Sequence, residues 1–118
     1  MTPAVDRTVL DGLAARMGDR GPQFRATLIG TWTTEAAKRR EQLADAAATG
    51  SADDLARTAH IVRSAAGSLG AHPVAELCSQ VEDAVRTGRQ VDVAAAAAQI
   101  IAELDRADAA FAELLAGP

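Results

Sequence analysis

Apolar residues recur along this chain at steps of three and four, the spacing that lines one face of an α-helix, while strand-like alternation is scarce. The segment VDRTVLDGLAARM predicts a short first helix with Leu10, Leu13 and Met17 on its apolar side. GDRGP interrupts that pattern, and Pro22, which has no N–H to lose, suits the first turn of a second helix. This helix is expected from Gln23 to about Ala48, with Phe24, Leu28 and Trp32 four apart and Leu43 and Ala47 continuing the face. Gly30 and the TWTT stretch weaken it enough to admit a bend or break. Ser51, with Asp54 three residues on, has the form of a capping box and starts a third helix running to Leu69. Leu55, Ala59, Val62, Ala66 and Leu69 form its stripe. Pro73 opens a fourth helix whose apolar face is Val74, Leu77, Cys78, Val81 and Val85, with Gly88 as its C-terminal cap residue. Asp92 can cap the last helix, which carries Val93, Ala97, Ile100, Leu104, Ala107, Phe111 and Leu115.

Four amphipathic helices joined by short loops bury their stripes only against one another. The expected fold is therefore all-α: an antiparallel up-and-down four-helix bundle with an additional short N-terminal helix over one end or flank. The 118 residues suit one domain, 1–118, with the bundle core at about 23–115 and residues 1–21 as N-terminal helix and linker.

Composition narrows the function classes. The formal charge is -4, which gives no basic excess to draw a nucleic-acid backbone, so no nucleic-acid partner is expected. Cys78 is the single cysteine, which rules out an intrachain disulfide, and its apolar setting reads as a buried small hydrophobe. Trp32 reads as core filler. The longest apolar run, the alanines before Gln99, is too short to span a membrane, and no secretory signal is visible, so a soluble cytoplasmic protein is expected. Two histidines twelve apart without paired cysteines make no familiar zinc pattern, and no phosphate-binding glycine loop is present. No metal or cofactor is expected in this chain.

The stretch AHIVRSAAGSLGA, from Ala59 to Ala71, holds the most suggestive chemistry. On a wheel of 100° per residue, His60 points away from the stripe of the third helix. Ser64 and Gly67, four and seven positions on, share its face, and Arg57 and Arg63 lie three residues to either side. An imidazole with an ordinary pKa of about 6.5 keeps a free nitrogen lone pair at neutral pH. Small neighbours let another protein approach it. A glycine inside a helix costs roughly 1 kcal/mol relative to alanine, and access at Gly67 would account for that. Arginine offers directed donors to phosphate oxygens. Together these features suggest phosphoryl transfer through the ring, although an exposed histidine in a helix is commonly just solvated. Spacing alone leaves the two readings open. His72, in an HP pair, reads as a helix-start turn. Among the other basic residues, read as solvated surface, Arg86 is the best placed to frame a partner site.

The run AHIVRSAAGSLGA followed by LCSQVE resembles the histidine-containing phosphotransfer domain, or HPt domain, of two-component phosphorelays. Ala59, His60, Val62, Arg63, Ala66, Gly67, Leu69, Gly70 and Ala71 match its pattern in register, and Leu77, Cys78 and Glu82 fit its next helix. The match departs at two positions: Arg63 stands where the family usually has lysine, and Ser64 where it usually has glycine. The resemblance implies that His60 accepts a phosphoryl group from an aspartyl phosphate on a response-regulator receiver domain and passes it to another. It implies attack by Nε2, with Glu82 orienting Nδ1, Arg63 supplying phosphoryl electrostatics, Ser64 and Gly67 giving access and Gly70 ending the helix. Receiver domains or a hybrid histidine kinase are the implied partners of an expected monomer, and the receiver is to bring Mg2+. No ATP-dependent kinase activity is implied for the chain itself. The alternative is a non-catalytic helical adaptor that docks receivers or kinases. An exposed apolar group such as Ile61 should lie near the edge of the partner surface.

Overall fold

In the computed structural model, which describes residues 2–116, every regular element is helical. The ends of the expected 1–118 span lie outside the described residues. Helix α1 covers Arg7–Ala15 and α2 covers Gly21–Thr49, with a 3-10 turn at Gly18–Arg20 between them. Then follow α3 (Ala52–Leu69), α4 (His72–Arg86) and α5 (Val93–Ala116). The connections after α2, α3 and α4 are short and reverse the chain, so α2 to α5 form an up-and-down bundle, 49 Å in its longest dimension. At 1.5 Å per residue, α2 is about 44 Å long and α3 about 27 Å. The N-terminal third or so of α2 therefore projects beyond the α3–α4 turn, and α1 packs there against α2 and α3.

Side-chain caps form at three helix starts, the expected ones at Ser51 and Asp92 and an unforeseen one at Asp6. Asp6 accepts from the Thr8 N–H, Ser51 from the Asp54 N–H, and Asp92 from the Ala95 N–H. The Ser51 N–H turns to the Ala46 carbonyl oxygen, closing the end of α2, so only half of the expected capping box is present. His72 opens α4 without capping it and instead places Nε2 3.6 Å from an Asp6 carboxylate oxygen.

The core joins all five helices: Leu10, Ile29, Leu43, Leu55, Val74, Ile100, Leu104 and Phe111 are fully or almost fully buried. Three sequence expectations shift. Helix α2 starts at Gly21 and runs unbroken through Gly30. Its buried line is Ile29, Trp32, Ala36, Leu43 and Ala46, with Phe24, Leu28 and Ala47 only partly covered. Met17 is exposed because α1 ends at Ala15, before the residue can rejoin the helix face. On α5, Leu114 packs inward beside the N-terminal segment at Pro3–Val5, and Leu115 is left exposed. A polar clip ties α2 to α5. The Trp32 indole N–H donates to Asp108 at 2.7 Å, and Arg40 donates to Asp108 and Asp105. Burial disfavours charge on the Arg40 guanidinium, but its bonds to the two carboxylates outweigh that and raise its pKa. Trp32 also meets Phe111 in a tilted ring pair, centroids 5.3 Å apart, as its role of core filler requires.

Gly70 joins the bundle to its N-terminal cover. Its φ of 82° ends α3, its carbonyl oxygen accepts from the Asp6 N–H at 2.8 Å, and a Cβ there would stand 2.7 Å from the Asp6 carbonyl oxygen. Gly70→Ala is expected to destabilise the protein by about 1–3 kcal/mol, through left-handed strain and displacement of the N-terminal segment. Urea unfolding followed by helical circular dichroism, with proteolysis near Arg7, measures both effects.

Candidate functional site

Burial of one side of α3 sets the direction of the other. Leu55, Ala59 and Ala66 are fully buried and Val62 nearly so. Thr58, unforeseen in the sequence stripe, is the one polar residue in the buried set among the described residues. His60, one residue past Ala59, is turned outward, and its side chain is 64% exposed. Ser64, Gly67 and Ser68 are exposed along the same helix, and a Cβ at Gly67 would meet nothing within 4 Å. No packing contact therefore calls for glycine there.

Helix α4 lies alongside α3 and brings Glu82, nineteen residues further along the chain than Arg63, to the imidazole. Glu82 is mostly covered, above the buried Cys78 and Val81. Its Oε1 accepts from Arg63 Nε at 3.2 Å and lies 3.3 Å from His60 Nδ1. Arg63 Nη2 lies 3.2 Å from the same ring nitrogen, with hydrogen-bond geometry. Two side chains, Arg63 from α3 and Glu82 from α4, thus converge on Nδ1. The other ring nitrogen, Nε2, has no hydrogen-bond partner among the described residues.

The structure brings together His60, Arg63 and Glu82 and leaves Arg57 out. Arg57 turns back to Asp54 at 3.1 Å, so the imidazole has one guanidinium beside it rather than the expected two. Arg86, one turn beyond Glu82, pairs with Asp83 at 2.8 Å and remains largely exposed. His72 belongs to the α3–α4 end of the molecule with Asp6. The Thr8 hydroxyl and N–H hold the Asp6 carboxyl below its ordinary pKa, with His72 adding in the same direction. No group of three or more His, Cys, Asp or Glu side chains among the described residues is arranged to hold a metal ion. No described helix is long and apolar enough to cross a membrane.

Two grooves between α2 and α3 meet at Ile61, beside His60. One, of about 220 Å³, is lined by Gln42, Asp45, Asp54, Arg57 and Thr58. The other, of about 60 Å³, is apolar and lined by Trp32, Ala36, Ala65 and the stem of Arg39. Ile61 is 39% exposed at the junction, the exposed apolar group that the sequence led us to expect. The α2 side of these grooves was not legible in the sequence, where Trp32 and Ala36 show only as part of a helical stripe.

The sequence model of the family described as Hpt domain matches residues 27–110. Among solved structures, the chain is similar to histidine-containing phosphotransfer protein B (HptB) from Pseudomonas aeruginosa PAO1. The similarity covers 98% of this chain and 97% of that one, at 26% identity and a TM-score of 0.82. No curated protein sequence matches significantly.

One turn before Glu82 on α4, Cys78 is sealed from solvent. Burial, with the Glu82 charge adding to it and Arg63 opposing, pushes its thiol up to about 12 from an ordinary 9.0. Between those values the unfolded thiol has lost its proton and the folded one has not, so this group makes stability fall as pH rises through that window. Iodoacetamide at pH about 8.5 is expected to modify the denatured chain about 100-fold faster than the native one. Mass spectrometry of timed samples measures the ratio; equal rates would contradict the burial.

Proposed function

The chain belongs to the Hpt domain family, and from that premise we propose that His60 carries a phosphoryl group between aspartates of response-regulator receiver domains. Phosphotransfer is the general function that family membership supports. The finer reading rests above all on an exposed imidazole whose Nδ1 is engaged while Nε2 has no hydrogen-bond partner among the described residues. We take the chain as a single domain of this kind, soluble in the cytoplasm.

In this reading the Nε2 lone pair attacks phosphorus in line with the acyl phosphate bond of the donor. The N–P bond forms, the P–O bond breaks, and the aspartate carboxylate leaves with the electron pair. The ring proton stays on Nδ1, facing Glu82, whose negative charge offsets the positive charge gained by the ring. Transfer to the next aspartate runs the same steps backwards. Arg63 meets the phosphoryl oxygens, Ser64 and Gly67 keep the approach open, and Gly70 ends the platform. The receiver supplies the magnesium ion, and Ile61 with the grooves beside it seats its surface. Such a relay contact is expected to be modest in area.

Incubation with a phosphorylated receiver is expected to place an acid-labile label on the wild type and none on His60→Gln, with helical spectra unchanged. A wild type that takes no label from any receiver, yet binds one equally well as His60→Gln, would favour the adaptor reading and contradict this one. Gly67→Gln provides a second test. The new side chain has room, so stability should hold or rise by up to about 1 kcal/mol, while transfer slows by about tenfold or more. Thermal unfolding and single-turnover transfer measure the two effects separately.

A further inference from the structure

We propose that Arg63 controls which ring nitrogen of His60 carries the proton, and so masks the nucleophile until phosphoryl oxygens draw the guanidinium away. This deepens the phosphotransfer reading and rests on it. The observation is a conflict at one atom. His60 Nδ1 has a donor, Arg63 Nη2, at 3.2 Å and an acceptor, Glu82 Oε1, at 3.3 Å. A guanidinium only donates, an ionised carboxylate only accepts, and a neutral imidazole has one N–H and one lone pair. Nδ1 therefore satisfies one neighbour at a time.

With the proton on Nε2, Nδ1 accepts from Arg63, while Glu82 Oε1 is already served by Arg63 Nε at 3.2 Å. All three groups are then partnered, but Nε2 has no lone pair to attack with. With the proton on Nδ1, the ring donates to Glu82 and Nε2 is nucleophilic, but the Arg63 N–H opposes the ring N–H. The Arg63–Nδ1 contact has hydrogen-bond geometry, which fits the first, masked arrangement. Arg63 is 42% exposed on a long side chain and is free to rotate outward. Phosphoryl oxygens are charged acceptors and outbid a neutral ring nitrogen for its donors. Once it leaves, Glu82 is the remaining partner of Nδ1. Nε2 gives its proton to water, Nδ1 takes one from water, and the ring stays neutral. The lone pair on Nε2 then forms the N–P bond as the P–O bond to the aspartate breaks. The arrival of the phosphoryl group thus prepares its own acceptor.

Two-bond 1H–15N correlation spectra of the full 15N-labelled chain read the tautomer directly. At pH about 8.5, above the ordinary imidazole range, wild-type His60 is expected to be mainly protonated on Nε2. Arg63→Met should shift the ratio at least about fivefold toward Nδ1–H, and Arg63→Met with Glu82→Ala should reverse the shift. A receiver carrying beryllofluoride on its aspartate should move the wild type as Arg63→Met does. An unchanged ratio in Arg63→Met, with His60 still accepting label from a phosphorylated receiver, overturns the masking role and leaves the phosphotransfer reading in place. A shifted ratio with no label on wild-type His60 overturns the phosphotransfer reading, and the masking role with it.

Discussion

Ala59 is fully buried, and the placement of the imidazole next to it depends on that fact more than on any bond His60 makes. Leu55, Ala59, Val62 and Ala66 lock the rotation of α3 about its own axis. Turning the helix far enough to hide residue 60 would lift these apolar side chains into water, at about 25 cal/mol for each Å² exposed. Residue 60 is consequently held outward by packing on the opposite side of the helix. The cap at Ser51 and the left-handed Gly70 set the length of the platform, and the segment pinned at Gly70 closes its end.

That arrangement divides the labour around the ring. Helix α3 supplies the imidazole and the arginine, and α4 supplies the carboxylate that touches both. A planar guanidinium reaches Glu82 through Nε and the ring through Nη2 in one placement, whereas an ammonium would present all its protons from a single nitrogen. The departure from lysine at position 63 thus carries a geometric consequence. Sealed from solvent, Cys78 contributes volume and little reactivity at neutral pH.

The bundle was largely legible because its stripes are regular and its turns are marked by Ser51, Gly70, Gly88 and Asp92. The uneven α2 was less so. Gly30 and three threonines suggested a break, yet Thr33 and Thr34 bond back to the carbonyl oxygens of Ile29 and Gly30, and burial of Ile29, Trp32 and Ala36 holds the helix straight through. Tertiary packing outweighs local propensity there. Leu114 replaced Leu115 in the core because the N-terminal segment approaches that side of α5, a contact that periodicity does not encode. At the site, the outward direction of His60 followed from the wheel. The pairing of Arg57 with Asp54 was present in the spacing but competed with the imidazole for the same arginine. Glu82 is nineteen positions past Arg63, too far for any helical rule, and only the family resemblance pointed to it.

The central claim is that one nitrogen, Nε2 of His60, forms the bond to phosphorus. Phosphorus–nitrogen correlation spectroscopy of the 15N-labelled chain, after exposure to a phosphorylated receiver, observes that bond directly. The account predicts a single phosphorus signal coupled to Nε2 of His60. Phosphorus coupled to His72, or to Nδ1 of His60, would contradict it.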